Sequence, residues 1–596
     1  MHRTLVAVLL VITLTASAGA GAEEKSPYPL YPQFYAQIRH AIAEGKPAGE
    51  IVEAIDKVLD EAVTLPVRKG PATTKPANPI TAANQARHLE QLLCLRNAAV
   101  TFAKASDREM AVYLLDRPQF CSRFLHALHE WDNLNGAMKV LAQLKDLDAK
   151  RFDKWSEFCI AYSVVWDDFH GHQWVPSKIE DGTMLANYKH YVSHEKQLLI
   201  NPSQLPFELG IYVVGTRLSA GERDWIDQNY TNVRFDPGTL YRTVPWTKKL
   251  SPAHGTGEGI DYTLANIRKY GGVCMEQAYY AENILRTYGL PATYTAGRGG
   301  RGGHAWVGAL MLTPRPHWDF TFGRYEYDHY YKGEVQNPTC ERLATPDSVV
   351  AMTAALLQAG SIDKIEEGYY YCDAALWVLS NYPSDTEEGK KKVADLSRGL
   401  LEKSLKASPY NTKTWLFLSE LAGKGLMDQK TAQFWAGKLF DLTVNDFPDF
   451  CIDCMERFLE CMKDPREKAG IYAKMYQIIG KARPDLAADI KVKEGDIWLE
   501  QKDVNKALES YLYPLVNFSK DQHVLEAAQE RVEQLNGKAD DTDLEKAYVQ
   551  VLKSIGAMKQ TSEEIGKIRK TIAGNLAALY RKRGDETKAK QAENLM

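Results

Sequence analysis

The sequence predicts an α+β protein in which a helix packs on an antiparallel sheet between two helical regions. Three observations predict it. Residues 259–289 form one helical stretch interrupted at Gly271-Gly272, and the short segments 292–296, 304–312 and 318–322 that come next are rich in Thr, Tyr, Val and Leu, a strand composition. Ahead of them, from about Ala86 to Tyr162, apolar residues recur at three-to-four spacing, as in Phe124, Leu125 and Leu128 and then Met138, Val140, Leu141 and Leu144. Behind them, from about Pro346 to the end, nearly every segment has helical period and the connections are short.

The chain has 596 residues, 45% hydrophobic and 25% charged, an ordinary globular composition. That length suffices for roughly three or four domains of about 150 residues. With 73 Lys and Arg against 77 Asp and Glu, no bulk charge draws the chain toward nucleic acid or an anionic membrane. Nucleic acid is therefore not an expected partner.

Met1-His2-Arg3 precedes an apolar run over residues 5–14, and small residues such as Ala16-Ser17-Ala18 and Ala20-Gly21-Ala22 come after it, the pattern of a secretory signal peptide. The run falls short of the roughly 20 residues that span a bilayer, so cleavage after residues 1–22 is expected, with a mature chain starting near Glu23. The expectation is an exported protein, periplasmic or extracellular, without stable membrane insertion. The texture then divides it into an α-helical N-terminal region (23–168), a mixed core (169–342) and an all-α C-terminal domain (343–596).

Residues 34–62 have helical period, and 65–84, rich in Pro, Thr, Ala and Asn, read as a loop or linker. Between 169 and 250 the pattern breaks into short apolar pieces, such as 209–214, separated by Pro and Gly. In the C-terminal region, 405–423 and 495–513 place small and aromatic residues at offsets that resemble tetratricopeptide-type helix pairs, without clean 34-residue recurrence. A helical-repeat-like scaffold and an irregular helical domain both fit, and either offers a surface for a protein partner.

Chemistry concentrates at Gly271-Gly272-Val273-Cys274, which opens an Ala-rich helix running through Ala278, Ala281, Ile284 and Leu285 to a stop at Gly289-Leu290-Pro291. A thiol at a helix N-terminus meets the positive end of the helix dipole and unpaired backbone N–H groups, which favour the thiolate. The glycines allow close approach of backbone and substrate. A thiolate gains most from an imidazole partner, and His304 begins the strand His304-Ala305-Trp306-Val307, where alternation sends His304 and Trp306 to one face. On the next strand Asp319 and Thr321 share a face opposite Trp318, Phe320 and Phe322. A hairpin between these strands would bring Asp319 beside His304 to orient its ring.

Taken singly, each of these residues has a bland explanation: a core thiol, a structural strand histidine, a packing tryptophan and a solvated carboxylate. The run Gly272-Val273-Cys274, then Leu285-Arg286, Gly289-Leu290-Pro291-Ala292, Gly297 and His304-Ala305-Trp306, resembles the core motif of the transglutaminase-like superfamily over about 50 residues, from Gly271 to Asp319. The resemblance implies a papain-like core with Cys274, His304 and Asp319 as catalytic residues in that order, and no cofactor or metal. Two departures stand out. Met275 comes directly after the nucleophile where eukaryotic transglutaminases usually carry Trp, so cross-linking is not strongly implied. The family acid usually lies several residues beyond a strand Trp, whereas Trp318 and Asp319 are adjacent; Asp328 is the reserve. Such a site also needs an oxyanion donor besides the Cys backbone N–H, for which Trp246 or a nearby tyrosine is the candidate.

Other motifs carry less. Gly297-Arg298-Gly299-Gly300-Arg301-Gly302 matches a dinucleotide pattern in letters, but a strand comes next instead of the helix such a site requires, so a flexible loop is expected, with Arg298 and Arg301 available to an acidic substrate group. Cys451-Ile452-Asp453-Cys454 lacks partners at zinc spacing and reads as packing or a local disulfide. His170-Gly171-His172 near Asp167-Asp168 reads as a loop turn ahead of a metal site. The tyrosine-rich run 325–331 reads as a groove lining or an aromatic edge strand. Nine cysteines, an odd number, leave at least one free, and a disulfide or two is open.

The functional expectation is an exported cysteine peptidase, amidase or acyltransferase that acts on amide bonds of proteins or peptides through a Cys thioester, with hydrolysis favoured. The alternative is a catalytically silent core serving as an extracytoplasmic protein-binding scaffold.

Overall fold

The computed structural model describes residues 26–64, 84–168, 172, 174–176, 182–230, 236–299, 302–324, 333–340, 344–357, 362–382, 385–481, 483–517, 522–557 and 563–595. The expected signal peptide, most of the linker over 65–84, His170, Asp328 and the tyrosine run 325–331 lie outside them. The architecture is α+β: many helices and one five-stranded antiparallel sheet.

The strands are β1 (Ala292–Gly299), β2 (Gly302–Met311), β3 (His317–Phe322), β4 (Glu334–Gln336) and β5 (Ala344–Pro346), ordered β3-β2-β1-β4-β5. The first three fall where composition places strands. β4 and β5, three residues each, are too short to show a period of two. The glycine-rich segment expected as a flexible loop instead extends the β1–β2 ladder, with Gly297 opposite His304 and Gly299 opposite Gly302. Extended glycines in a ladder carry no side-chain signal, so the hairpin is hidden in the sequence.

The sheet receives one face of the helix Cys274–Thr287. This helix comes after Leu264–Tyr270 and the break at Gly271-Gly272, as the pattern predicts. From Glu276 to its end all of its residues are buried, including Gln277, Glu282, Asn283, Arg286 and Thr287. The stretch 169–250, which reads as fragments, contains the helices Thr183–Ser193, Phe207–Val214, Ala220–Tyr230 and Pro237–Thr243. They are 7 to 11 residues long, too short for a clear amphipathic stripe.

Ahead of the sheet the helices from Pro32–Glu44 to Ser156–Val165 bear out the helical reading, and behind it, from Asp347–Met352 onward, the described elements are all helical. One buried apolar cluster runs continuously from Tyr28 to Ile497, and a second joins Ala488 to Ala592. All nine cysteines are free thiols, six of them buried, including Cys451 and Cys454 on the helix Pro448–Glu460. Packing therefore accounts for that pair, and no disulfide forms.

A buried ionic node ties the N-terminal helices to the helix Phe207–Val214 and to the C-terminal helix Ile362–Asn381. Arg123 donates to Glu157 and, at 2.7 Å, to Glu208, and Tyr369 donates to Glu208 at 2.9 Å. Glu366, on the same helix as Tyr369, is buried with one carboxyl oxygen lacking a hydrogen-bond partner. Burial pushes its carboxyl up to about 8, and Arg123 opposes this. An unfolded Glu ionises near 4.3, so between about pH 4.3 and 8 the folded state holds a proton that the unfolded state releases. Stability is lost as pH rises through that window. Glu366→Gln is expected to flatten this part of the stability profile, measured as melting temperature from about pH 4.5 to 8.5; identical profiles for the two proteins would refute the assignment.

Candidate active site

The entry to the cysteine helix is stitched to the segment before it. Gly272 N–H donates to Pro245 O at 3.0 Å and Thr247 N–H to Gly272 O at 2.8 Å, so Trp246 pairs with Gly272 as a single parallel bridge. Gln277, one turn into the helix, donates to Val244 O at 2.9 Å. Gly271 has φ +77° and ψ 175°, a region open essentially to glycine alone, and a Cβ there would lie 2.2 Å from Pro245 O. A Cβ on Gly272 would lie 2.3 Å from the Glu276 side chain. That side chain accepts Val273 N–H at 2.8 Å and so satisfies an N-terminal donor of the helix. The glycine pair serves the turn and this cap.

Cys274 is partly exposed at the first helical position. Burial pushes its thiol above the ordinary value. Hydrogen bonds from the backbone N–H groups of Ala305, Met275 and Cys274 itself pull it down, and the Glu276 charge adds to the rise. The helix N-terminus thus acts in the expected direction, but desolvation outweighs it and the resting group is a thiol. Tyr294 on β1 is near enough for the Cys274 charge to bear on it, although burial is the larger cause of its raised phenol.

Ala305 N–H is near enough to lower the thiol, so the His304-Ala305 step of β2 lies beside Cys274. His304 is buried and shares its face with Trp306, ring centroids 5.8 Å apart, as strand alternation predicts. Its Nε2 lies 2.8 Å from Gly323 O. A carbonyl oxygen can only accept, so Nε2 carries a proton and donates to it. Gly323 has φ +90°, and a Cβ on it would lie 2.5 Å from the ring of Tyr241. Tyr241 donates its hydroxyl to Ala305 O at 3.0 Å, so one phenol supports both the Gly323 turn and the Ala305 peptide. Arg324, next in the chain, is buried 3.4 Å from Asp347 and stands 5.3 Å over the Trp306 ring.

Asp319 is placed elsewhere. It pairs with Ala309, five residues along β2 from His304 (309 − 304), about 17 Å at strand rise. Its carboxylate accepts the N–H and hydroxyl of Thr321, at 2.8 and 2.6 Å. The strand faces are as expected, but the position of the turn between β2 and β3 sets Asp319 opposite Ala309, away from the ring. The Gly323 carbonyl occupies the Nε2 position assigned in the sequence to a carboxylate. No side-chain pattern reports a carbonyl acceptor; a glycine directly after the strand at Phe322 is the available signal.

Trp246, which forms the bridge with Gly272, is 55% exposed, and Tyr294 is a tyrosine near the thiol, so both donor candidates flank the site. His172 is engaged structurally: Nε2 meets Glu282 at 2.9 Å and Nδ1 meets Gln336. Arg301 lies outside the described residues. Sequence reading overlooked Tyr241 and Gly323, which hold the histidine from behind.

Two substitutions test this geometry. Gly271→Ala is expected to destabilise the fold by about 1–3 kcal/mol through backbone strain and the clash with Pro245 O, read by denaturant unfolding; a neutral effect would contradict it. Glu276→Gln retains an acceptor for Val273 N–H but removes a charge that raises the Cys274 thiol. Its alkylation at neutral pH is expected to be faster than in the parent, and a slower rate would reverse the sign assigned to Glu276. No protein-family model, curated protein or solved structure matches this chain.

Proposed function

We propose that this chain is a transglutaminase-like cysteine enzyme that cleaves amide bonds of proteins or peptides, with Cys274 as nucleophile and His304 as general base and acid. One observation supports the reading above the others: a partly exposed thiol stands at a helix N-terminus, near enough for the N–H of Ala305 to lower it, and Ala305 directly follows the buried His304.

Because burial favours the neutral thiol, His304 takes the sulfur proton at Nδ1 as Cys274 attacks the carbonyl, so a standing thiolate is not required. The carbon–sulfur bond forms and the carbonyl oxygen takes negative charge. The carbon–nitrogen bond then breaks as His304 passes its proton to the leaving amine, giving a thioester. Water, losing a proton to His304, attacks the thioester; the carboxylic acid departs and sulfur regains a proton. The Gly323 carbonyl helps to orient the ring, and Asp319 lies too far along the sheet to do so. Trp246 and Tyr294 are the donor candidates for the oxyanion. Hydrolysis is favoured over acyl transfer because nothing in the sequence marks an amine-acceptor site. The signal-peptide reading makes the working location extracytoplasmic, and among the described residues no helix is long and apolar enough to cross a membrane.

A peptide-library screen with the purified protein tests the proposal. Cys274→Ala is expected to lower amide cleavage by at least about 10³-fold, and His304→Ala by about 10²–10⁴-fold. His304→Ala is also expected to shift the pH profile of Cys274 alkylation upward. Unchanged cleavage in Cys274→Ala would sink the enzyme reading and favour a catalytically silent scaffold, and an unchanged alkylation profile would remove His304 from the pair.

A further inference from the structure

The helix Thr183–Ser193 carries His190, and His194 stands at its C-terminal end, one turn on. Both imidazoles lie over Asp227 of the helix Ala220–Tyr230, and the ligand atoms the three side chains offer are all within 4.8 Å of one another. We infer that His190, His194 and Asp227 form a binding site for a divalent metal ion of the zinc class.

The second observation is how the rings are held. His194 Nδ1 lies 3.0 Å from His190 O, and His190 Nε2 lies 3.2 Å from Thr287 O at the end of the cysteine helix. Each ring is thus held through one nitrogen, His190 by the Thr287 carbonyl and His194 by the His190 carbonyl and the Ser193 hydroxyl at 2.9 Å, with the rings stacked at 4.3 Å between centroids; such outer hydrogen bonding is what orients metal-ligating histidines. His194 Nε2 stands 3.4 Å from Asp227 Oδ2. That is long for a charge-assisted hydrogen bond, but it matches the edge of a tetrahedron with bonds of about 2.1 Å, roughly 3.4 Å.

Two nitrogens and one carboxylate oxygen suit a borderline ion, with water completing the coordination, since the His194 and Asp227 side chains are each about a quarter exposed. Asp224 adds negative charge nearby; Arg223, buried one turn before Asp227, opposes a cation. The carboxylates offset it. Thr287 lies 13 residues beyond Cys274 (287 − 274), about 20 Å along the helix axis, so the ion would brace the far end of that helix and take no part at the thiol.

Cobalt(II) titration of the reduced full-length protein, monitored by visible absorption, tests the site. One equivalent is expected to give the d–d bands of a low-coordinate nitrogen and oxygen site, without the thiolate charge-transfer band that ligation by any cysteine would add. Zinc should displace it. His194→Ala and Asp227→Asn, both checked for native circular dichroism, are each expected to weaken binding at least tenfold, whereas Cys274→Ala should bind as the parent does. Absence of binding, a thiolate band for the first equivalent, or parental affinity in both site variants would overturn the proposal.

Discussion

The structure depends on the enclosure of one polar-rich helix, Cys274–Thr287. Buried on nearly every side beyond its first turn, it must satisfy its polar groups inside the protein. Glu282 does most of this: it pairs with Arg286 at 2.6 Å, meets His172 at 2.9 Å and accepts Tyr294 N–H at 2.9 Å. Burial alone would raise this carboxyl, but Arg286 and His172 outweigh it and hold it below the ordinary value. Arg286 donates in turn to Ala292 O and Gly215 O, and Asn283 accepts the Thr216 hydroxyl. Removing one partner of such a buried pair typically costs about 3–5 kcal/mol. These bonds tie the helix to β1 and to the segment after Phe207–Val214, and so hold Cys274 against β2.

The same enclosure shapes the chemistry proposed for the thiol. A helix N-terminus in water would favour the thiolate, whereas here desolvation and the Glu276 carboxylate push the other way and leave a neutral resting group. In the proposed mechanism activation then falls to His304. The Gly323 carbonyl accepts from Nε2 and so helps to hold the ring in place. Glu276 has a dual position: it caps the helix through Val273 N–H and opposes ionisation of the sulfur two residues away.

How much was legible depended on whether a feature is carried by side-chain pattern. The break at Gly271-Gly272, the cysteine at a helix start, the first three strands and the shared face of His304 and Trp306 all arise from local composition and alternation, and all recur in the structure. β4 and β5 lack length, and the Gly297–Gly299 part of the hairpin lacks side chains. The helices over 183–243 lack a long stripe. The absence of disulfides among nine cysteines was equally hidden, because pairing is a matter of distance.

By itself the sequence determined the α+β class, the helical flanks and the candidacy of Cys274 and His304, because helix and strand periods and a glycine-broken helix start are written in consecutive residues. Tertiary structure alone decided what stands behind the histidine. The position of the turn between β2 and β3 sets Asp319 opposite Ala309, away from the ring, and the left-handed Gly323, set against Tyr241, turns a carbonyl toward Nε2. It also decided the charge state of the thiol, since burial is a sum over residues distant in the chain. The gathering of His190, His194 and Asp227 has the same origin: Asp227 lies 33 residues after His194 (227 − 194), and helix packing, which no local pattern encodes, sets them side by side.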